Sequence, residues 1–176
     1  LDTSQSERIV WLAEEMGLDY KLRTHARLPD TRLSPPSLHA VHPLGSAPVI
    51  EDNGHVLAES GAIMDYLMAR YGDHGLRPAP DHPDYAHYIY WFHYANGGMM
   101  LQTSVNFVAA MATGGDSAHP VMAAMQGRMA RHLAWVDDYL GKNPYFGGSQ
   151  FSAADIMMHF AFTTMRSFHV VPTEDR

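Results

Sequence analysis

The chain has 176 residues, 46% of them apolar and 18% charged, with no cysteine. That length suits one large domain or two small ones with enough apolar surface for a core. Lys plus Arg number 12 against 19 Asp plus Glu, a net charge of −7, which leaves no basic footprint for nucleic acid or for anionic lipid. Without a thiol there is no disulfide framework, no thiolate zinc site and no cysteine nucleophile, a composition that fits a reducing cytosol. No apolar run reaches the roughly 20 residues that a membrane helix needs, so no membrane partner is expected.

Residues 1–4 read as a loop entering a helix. No initiator Met opens the chain, and only a short polar tail follows Phe162; residues are expected to be missing at one or both ends. The first periodic segment, residues 6–16, puts Ile9, Val10, Leu12, Ala13 and Met16 on one face of a helix. Ser4 and Ser6 suit its N-cap and Gly17 its end. Residues 20–23 alternate like a half-buried strand, and Ser34-Pro35-Pro36 has the cap-then-proline chemistry of a short helix start. Residues 47–51 and 55–58 flank Asp52-Asn53-Gly54, which predicts a β-hairpin closed by a type I′ turn. A helix over residues 60–71 follows, burying Ile63, Met64 and Leu67 and stopping at Gly72.

Breakers at Gly75, Pro78, Pro80 and Pro83 make residues 74–84 a linker between an α/β unit (1–73) and a helical unit (85–176). The helical unit begins with a long aromatic helix over residues 85–108. A second helix, residues 120–140, carries Val121, Met125, Met129, Leu133, Val136 and Leu140 on one stripe. A third starts near Ser152, where Ser152 and Asp155 form a capping box and Phe151 with Ile156 a hydrophobic staple.

Three places in the first unit could carry chemistry. Pro48 cannot donate to a ladder, so it stands at an edge or bend; in cis geometry it would expose the peptide edge of Ala47 to another backbone. An ordinary edge-strand proline fits the spacing equally. Ser60 opens a helix directly after a strand, so its hydroxyl and the first N–H groups suit a carboxylate, with Glu59 placed for an ammonium. Ser60 reads equally as a simple cap. The hydroxyls of Ser4 and Ser6 at a helix N-terminus suit a thiolate; lowering a thiol from about 8.5 by about two units takes about 2.7 kcal/mol. Capping is again the plainer role.

In combination these motifs go further. Ser-x-Ser-x-Arg-Ile-x-Trp-Leu-x-Glu-Glu-x-Gly-Leu-x-Tyr (4–20), His-Pro-Leu-Gly-x-Ala-Pro-Val-Ile (42–50) and Ala-Glu-Ser-Gly-Ala-Ile-x-x-Tyr-Leu (58–67) resemble the thioredoxin-like domain of glutathione transferases in order and spacing. Residues 90–95 and 151–156 resemble the family's all-helical domain, and the serine-type bacterial and fungal branch is the nearest in pattern. The resemblance implies a thioredoxin-like domain, whose first strand would precede Leu1, followed by an all-helical domain. It implies Ser4 as the thiolate-stabilising serine with Ser6 as its rival, and Ala47 before a cis Pro48 as the backbone partner of the cysteinyl part of glutathione. It implies Glu59 and Ser60 as the γ-glutamyl-binding pair. Many relatives carry Lys at Ser46, so that contact to the glycyl carboxylate is absent or replaced here.

Tyr94, Met99 and Met100 follow the aromatic run and are expected to form a pliable wall for apolar substrates. Twelve histidines, among them His39, His42, His87 and His93, lack the convergent spacing of a metal site, so no metal and no cofactor is expected. The expected activity is conjugation of glutathione, a co-substrate, to small electrophiles by a cytosolic homodimer. A glutathione-dependent disulfide reductase or peroxidase, and a non-catalytic binding protein of the same fold, are the alternatives.

Overall fold

The computed structural model describes residues 4–167, with side chains as far as Thr164; residues 1–3, expected as loop, lie outside that range. Contacts divide the chain between Arg77 and Pro78 into two compact units. The first runs α1 (Ser6–Glu15), α2 (Pro36–His39), β1 (Val49–Asp52), β2 (His55–Ala58) and α3 (Ser60–Tyr71).

Helix α1 buries Ile9, Leu12, Ala13 and Met16 against α3, which contributes Ile63, Met64, Leu67 and Met68. Each fully buried aliphatic side chain of this kind contributes about 1.5–3 kcal/mol. Val10 is only half-buried. The chain leaves α1 through Gly17 at φ +62°, the left-handed turn that glycine makes without a Cβ penalty. β1 and β2 pair antiparallel from Val49 opposite Ala58 to Asp52 opposite His55. The turn residues Asn53 and Gly54 take φ +47° and +82°, as a type I′ turn requires. The Asp52 carboxylate ties the hairpin to α3, accepting from the Tyr66 hydroxyl at 2.7 Å and the Tyr71 hydroxyl at 2.8 Å.

Residues 20–23 correct the sequence reading. They form no strand, and all four are exposed. Alternation predicts a strand only where a ladder partner exists, and β1 pairs with β2 alone among the described strands. A hollow of about 390 Å³ separates residues 20–23 from β1, floored by Ile9 and Val10. The two-stranded sheet with its helices is the thioredoxin-like part of the fold.

The second unit is all-helical among its described residues. α4 (Tyr85–Tyr94) continues through a π-helical turn (Ala95–Met100) into α5 (Leu101–Ala112); α6 (Pro120–Leu140) and α7 (Ala153–Ser167) follow. The expected long helix therefore exists, ends four residues later, and carries one wide turn. At that turn Gly98 lies under the Tyr94 ring, where an added Cβ would collide with it. On α6 the buried stripe is Met122, Met129, Leu133, Val136 and Tyr139, while Val121 and Leu140 are exposed. The expected stripe was out of phase at its two ends, because a 3.6-residue period places 122, 129, 133 and 136 on one line. The capping box forms: Asp155 Oδ2 accepts from the Ser152 N–H at 2.9 Å, and Ser152 Oγ from the Ala154 N–H at 3.2 Å. Asp155 Oδ1 also accepts from the Phe146 N–H at 2.8 Å, which pins the preceding loop.

Candidate functional site

The N-terminus of α1 is built differently from its expected capping. Ser6 is the first helical residue and Gln5 occupies the cap position, with no side-chain cap bond. Neither serine caps the helix in the usual sense. Ser4 Oγ instead accepts from the Ser6 backbone N–H at 3.4 Å. Gln5 turns inward, and its Oε1 accepts from Arg8 Nη1 at 2.6 Å and from the Ser60 hydroxyl at 2.9 Å. Arg8 Nη1 also donates to Ser60 Oγ at 3.1 Å.

This Gln5–Arg8–Ser60 cluster joins the starts of α1 and α3, with Arg8 fully buried and Ser60 at 1% exposure. Burial lowers the Arg8 guanidinium to about 10, against the opposing pull of Glu7, so it stays charged at neutral pH. Two helix N-termini and a buried cation thus lie within one side chain of each other, a field that favours a negative ligand group. A serine hydroxyl has one proton to donate. That of Ser60 goes to Gln5, and its backbone N–H stands at the first position of α3.

Glu59 stands immediately before this helix at φ +71° and ψ +114°. A non-glycine residue there costs on the order of 1–3 kcal/mol, and such strain is found where a side chain must be held in one place. Its side chain is exposed. The Ala47–Pro48 peptide is cis, as expected. Pro48 is buried, Ala47 half-buried and Ser46 exposed. Ser6, Ala47 and Pro48 line the hollow beside β1; Ser46 does not. The structure therefore brings Ser4, Ser6, Glu59 and Ser60 to one end of the unit through the α1–α3 contact.

In the helical unit Tyr94, Met99 and Met100 do not share one surface. Met99 is fully buried and Met100 half-buried, at adjacent positions of the π-helical turn. Tyr94 faces an open hollow formed with Tyr90 and α6 residues, and neither methionine lines it. Among the described residues no group of three His, Asp or Glu side chains converges as a metal site, and no helix is long and apolar enough to cross a membrane.

Sequence reasoning missed Gln5 and Arg8 as a buried cluster. A signal existed for Arg8: it shares helical phase with Leu12 and Met16, so a charge on the apolar face needed a partner. Gln5 carried no such signal.

Comparison with known proteins bears on the same elements. The model for the glutathione S-transferase N-terminal domain matches residues 4–70, and that for the C-terminal domain residues 120–163. Glutathione S-transferase 3 of Schizosaccharomyces pombe is 30% identical over 96% of this chain and 74% of its own length. The chain belongs to the glutathione S-transferase family. A crystal structure of a glutathione S-transferase from Actinobacillus pleuropneumoniae superposes with a TM-score of 0.84 at 32% identity, covering 98% of this chain and 78% of that one. A theta-class glutathione S-transferase from Xanthomonas axonopodis pv. citri, solved with glutathione bound, gives a TM-score of 0.70 at 26% identity over 99% of this chain and 82% of that one. The glutathione S-transferase N-terminal match spans the α1–α3 cluster, the cis proline and Glu59. Tyr94, Met99 and Met100 fall outside both matched segments.

Proposed function

We propose that this glutathione S-transferase conjugates reduced glutathione to small, largely apolar electrophiles. The observation that carries the reading is the paired start of α1 and α3 over the buried Arg8. That arrangement favours anions at two adjacent points, and reduced glutathione poised for attack carries both a carboxylate and a thiolate. In this reading the Ser60 N–H and the α3 terminus receive the γ-glutamyl carboxylate, while Glu59 receives its ammonium. The Ala47 backbone pairs with the cysteinyl amide, and Ser46 stands near the glycyl end.

The thiolate lies at the start of α1, where the Ser4 hydroxyl donates to it and the helix field adds to that bond. Sulfur then attacks the electrophilic carbon and the leaving group departs with the bonding pair; no bond to the protein forms. The chain contributes position and electrostatics. Tyr94 and Met100 border the substrate side in this reading, with Met99 as packing behind them. No metal or other cofactor is needed for this chemistry, and detoxification in the cytosol is the matching role.

A two-fold homodimer belongs to the same proposal. Leu101, Val105 and Val108 are exposed along α5 at the i, i+4, i+7 spacing of an apolar stripe, a face that a self-complementary partner would cover.

The test is turnover of glutathione with 1-chloro-2,4-dinitrobenzene against turnover of a glutathione mixed disulfide. Faster conjugation supports the proposal, dominant disulfide turnover makes the protein a reductase, and binding without either makes it a binding protein.

A further inference from the structure

The π-helical turn between α4 and α5 decides how Tyr94 is seated. Wide turns of this kind recur at functional positions of α-helices. This one spans Ala95–Met100 and holds two adjacent glycines, Gly97 and Gly98. Neither has a positive φ, so backbone freedom does not separate them; space does. A Cβ at Gly97 would meet nothing within 4 Å, whereas one at Gly98 would stand 2.5 Å from Cδ2 and Cε2 of the Tyr94 ring. A helical Cβ tilts toward the N-terminus of its helix, so the side chain that Gly98 lacks would point at that ring. The ring fills the volume the glycine leaves.

Tyr94 is also tied on its other sides. Its ring stacks on Tyr90 with centroids 5.5 Å apart and 19° between the planes, and it meets Trp91 edge-on at 5.1 Å. Its hydroxyl meets His132 Nδ1 on α6 at 2.5 Å. Burial pushes the Tyr94 hydroxyl up to about 12, with Tyr90 adding to it. Burial and then Arg128 and Arg131 lower His132. At neutral pH the tyrosine therefore holds its proton and donates to an uncharged imidazole, whose own N–H is assigned to Nε2. A methyl group at position 98 must move the ring from this seat, at the expense of the Tyr90 stack and the His132 bond.

We propose that Gly98 is a positioning residue for the aromatic group that glutathione receives: it yields its side-chain volume to the Tyr94 ring and so sets how such a group fits against that ring. The inference rests on the conjugation reading, in which Tyr94 borders the substrate side. It assigns part of the selectivity to a residue that itself touches no substrate. Aromatic contacts depend on offset and centroid separation, and a misplacement of about 1 Å is enough to matter. A ring pushed outward would occupy room that the incoming group needs. Glutathione alone, which lacks that group, would lose nothing.

Calorimetry on the full chain with glutathione and with S-(2,4-dinitrophenyl)glutathione, the conjugate formed from 1-chloro-2,4-dinitrobenzene, tests this without requiring turnover. The parent protein should prefer the conjugate. Gly98→Ala should cut that preference at least about fivefold and change glutathione affinity less than about twofold, the scale of one impaired aromatic contact. Gly97→Ala, the same change with no ring in its way, should leave the preference as it was. In a Tyr94→Leu background Gly98→Ala should have no further effect on the preference, because the ring is what couples the two. The ring-nitrogen NMR shifts of His132 should move in Gly98→Ala and stay in Gly97→Ala. Should Gly98→Ala fail to fold, His132→Leu frees the ring from its tether and should lower the same preference. A parent protein without that preference, an equal loss in Gly97→Ala, or a preference that survives in Gly98→Ala (in His132→Leu, if the first does not fold) would overturn the inference. A lower melting temperature with the preference intact makes Gly98 a packing residue only. The expected binding pattern in a protein that does not turn over 1-chloro-2,4-dinitrobenzene would strike the conjugation reading and leave the positioning role in place.

Discussion

Replacing Ser60 by Ala tests the buried cluster most searchingly, because the expected loss is in folding rather than in ligand contact. The change deletes the bond that Ser60 donates to Gln5 at 2.9 Å and the one that it accepts from Arg8 at 3.1 Å. A bond from a charged donor is worth about 1.5–3 kcal/mol and a neutral one about 0.5–1.5, so the variant should lose about 2–4 kcal/mol. Arg8 would remain buried and charged with less to offset its desolvation, which places the loss toward the upper end. For a chain of this size each kcal/mol moves the melting temperature by about 2–4 °C, so a fall of roughly 10 °C is expected. Urea denaturation and a thermal melt read it, and calorimetry on the folded variant reads glutathione affinity, which should change less than about threefold. A variant that melts like the parent but binds glutathione more than about thirtyfold more weakly would refute the reasoning, since the hydroxyl would then serve the ligand and not the cluster.

Other expectations follow from single contacts. Asp155→Ala removes acceptors for the N–H groups of Phe146 and Ser152 and for the Ser152 hydroxyl, and should cost about 3 kcal/mol or more by urea denaturation. Asp52 is held below its ordinary value by the hydroxyls of Tyr66 and Tyr71. A lowered carboxylate adds stability above its unfolded value and loses it as pH falls through the folded value, so Tyr66→Phe should raise the Asp52 titration seen by NMR and bring acid unfolding to a higher pH. Val108→Asp, placed on the exposed α5 stripe, should turn a dimer into monomers by sedimentation at micromolar concentration; a parent protein that is already monomeric under those conditions contradicts the dimer.

Much of the fold was legible because local signals agreed with tertiary context. The hairpin at Asn53-Gly54, the helix from Ser60 to Gly72 and the Ser152–Asp155 box each carry backbone chemistry that works with little outside help. Residues 20–23 were misread because alternation says nothing about whether a neighbouring strand is there to pair. The phase error on α6 arose because Val121 and Leu140 are apolar but exposed, and periodicity alone cannot tell an apolar surface from a core. At the candidate site, motif order singled out Ser4, Ala47, Glu59 and Ser60, and the cis Ala47–Pro48 bond was anticipated. What the hydroxyls do was not legible: the partner of Ser60 is Gln5, 55 positions away in the chain, and only packing of α1 on α3 reveals it. His132 escaped notice for the same reason, since its partner Tyr94 lies 38 positions earlier.

The titration of bound glutathione addresses the proposed chemistry most directly. Thiolate absorbance in the ultraviolet, followed against pH at saturating protein, gives the thiol pKa in the site. The expected value is about 6.5, roughly two units below the ordinary thiol value. Ser4→Ala should raise it by about 1–2 units, the loss of one charge-assisted bond, while Ser6→Ala leaves it in place. A bound thiol that titrates near 8.5 in the parent protein, or a shift that neither serine alters, would contradict thiolate activation at the start of α1.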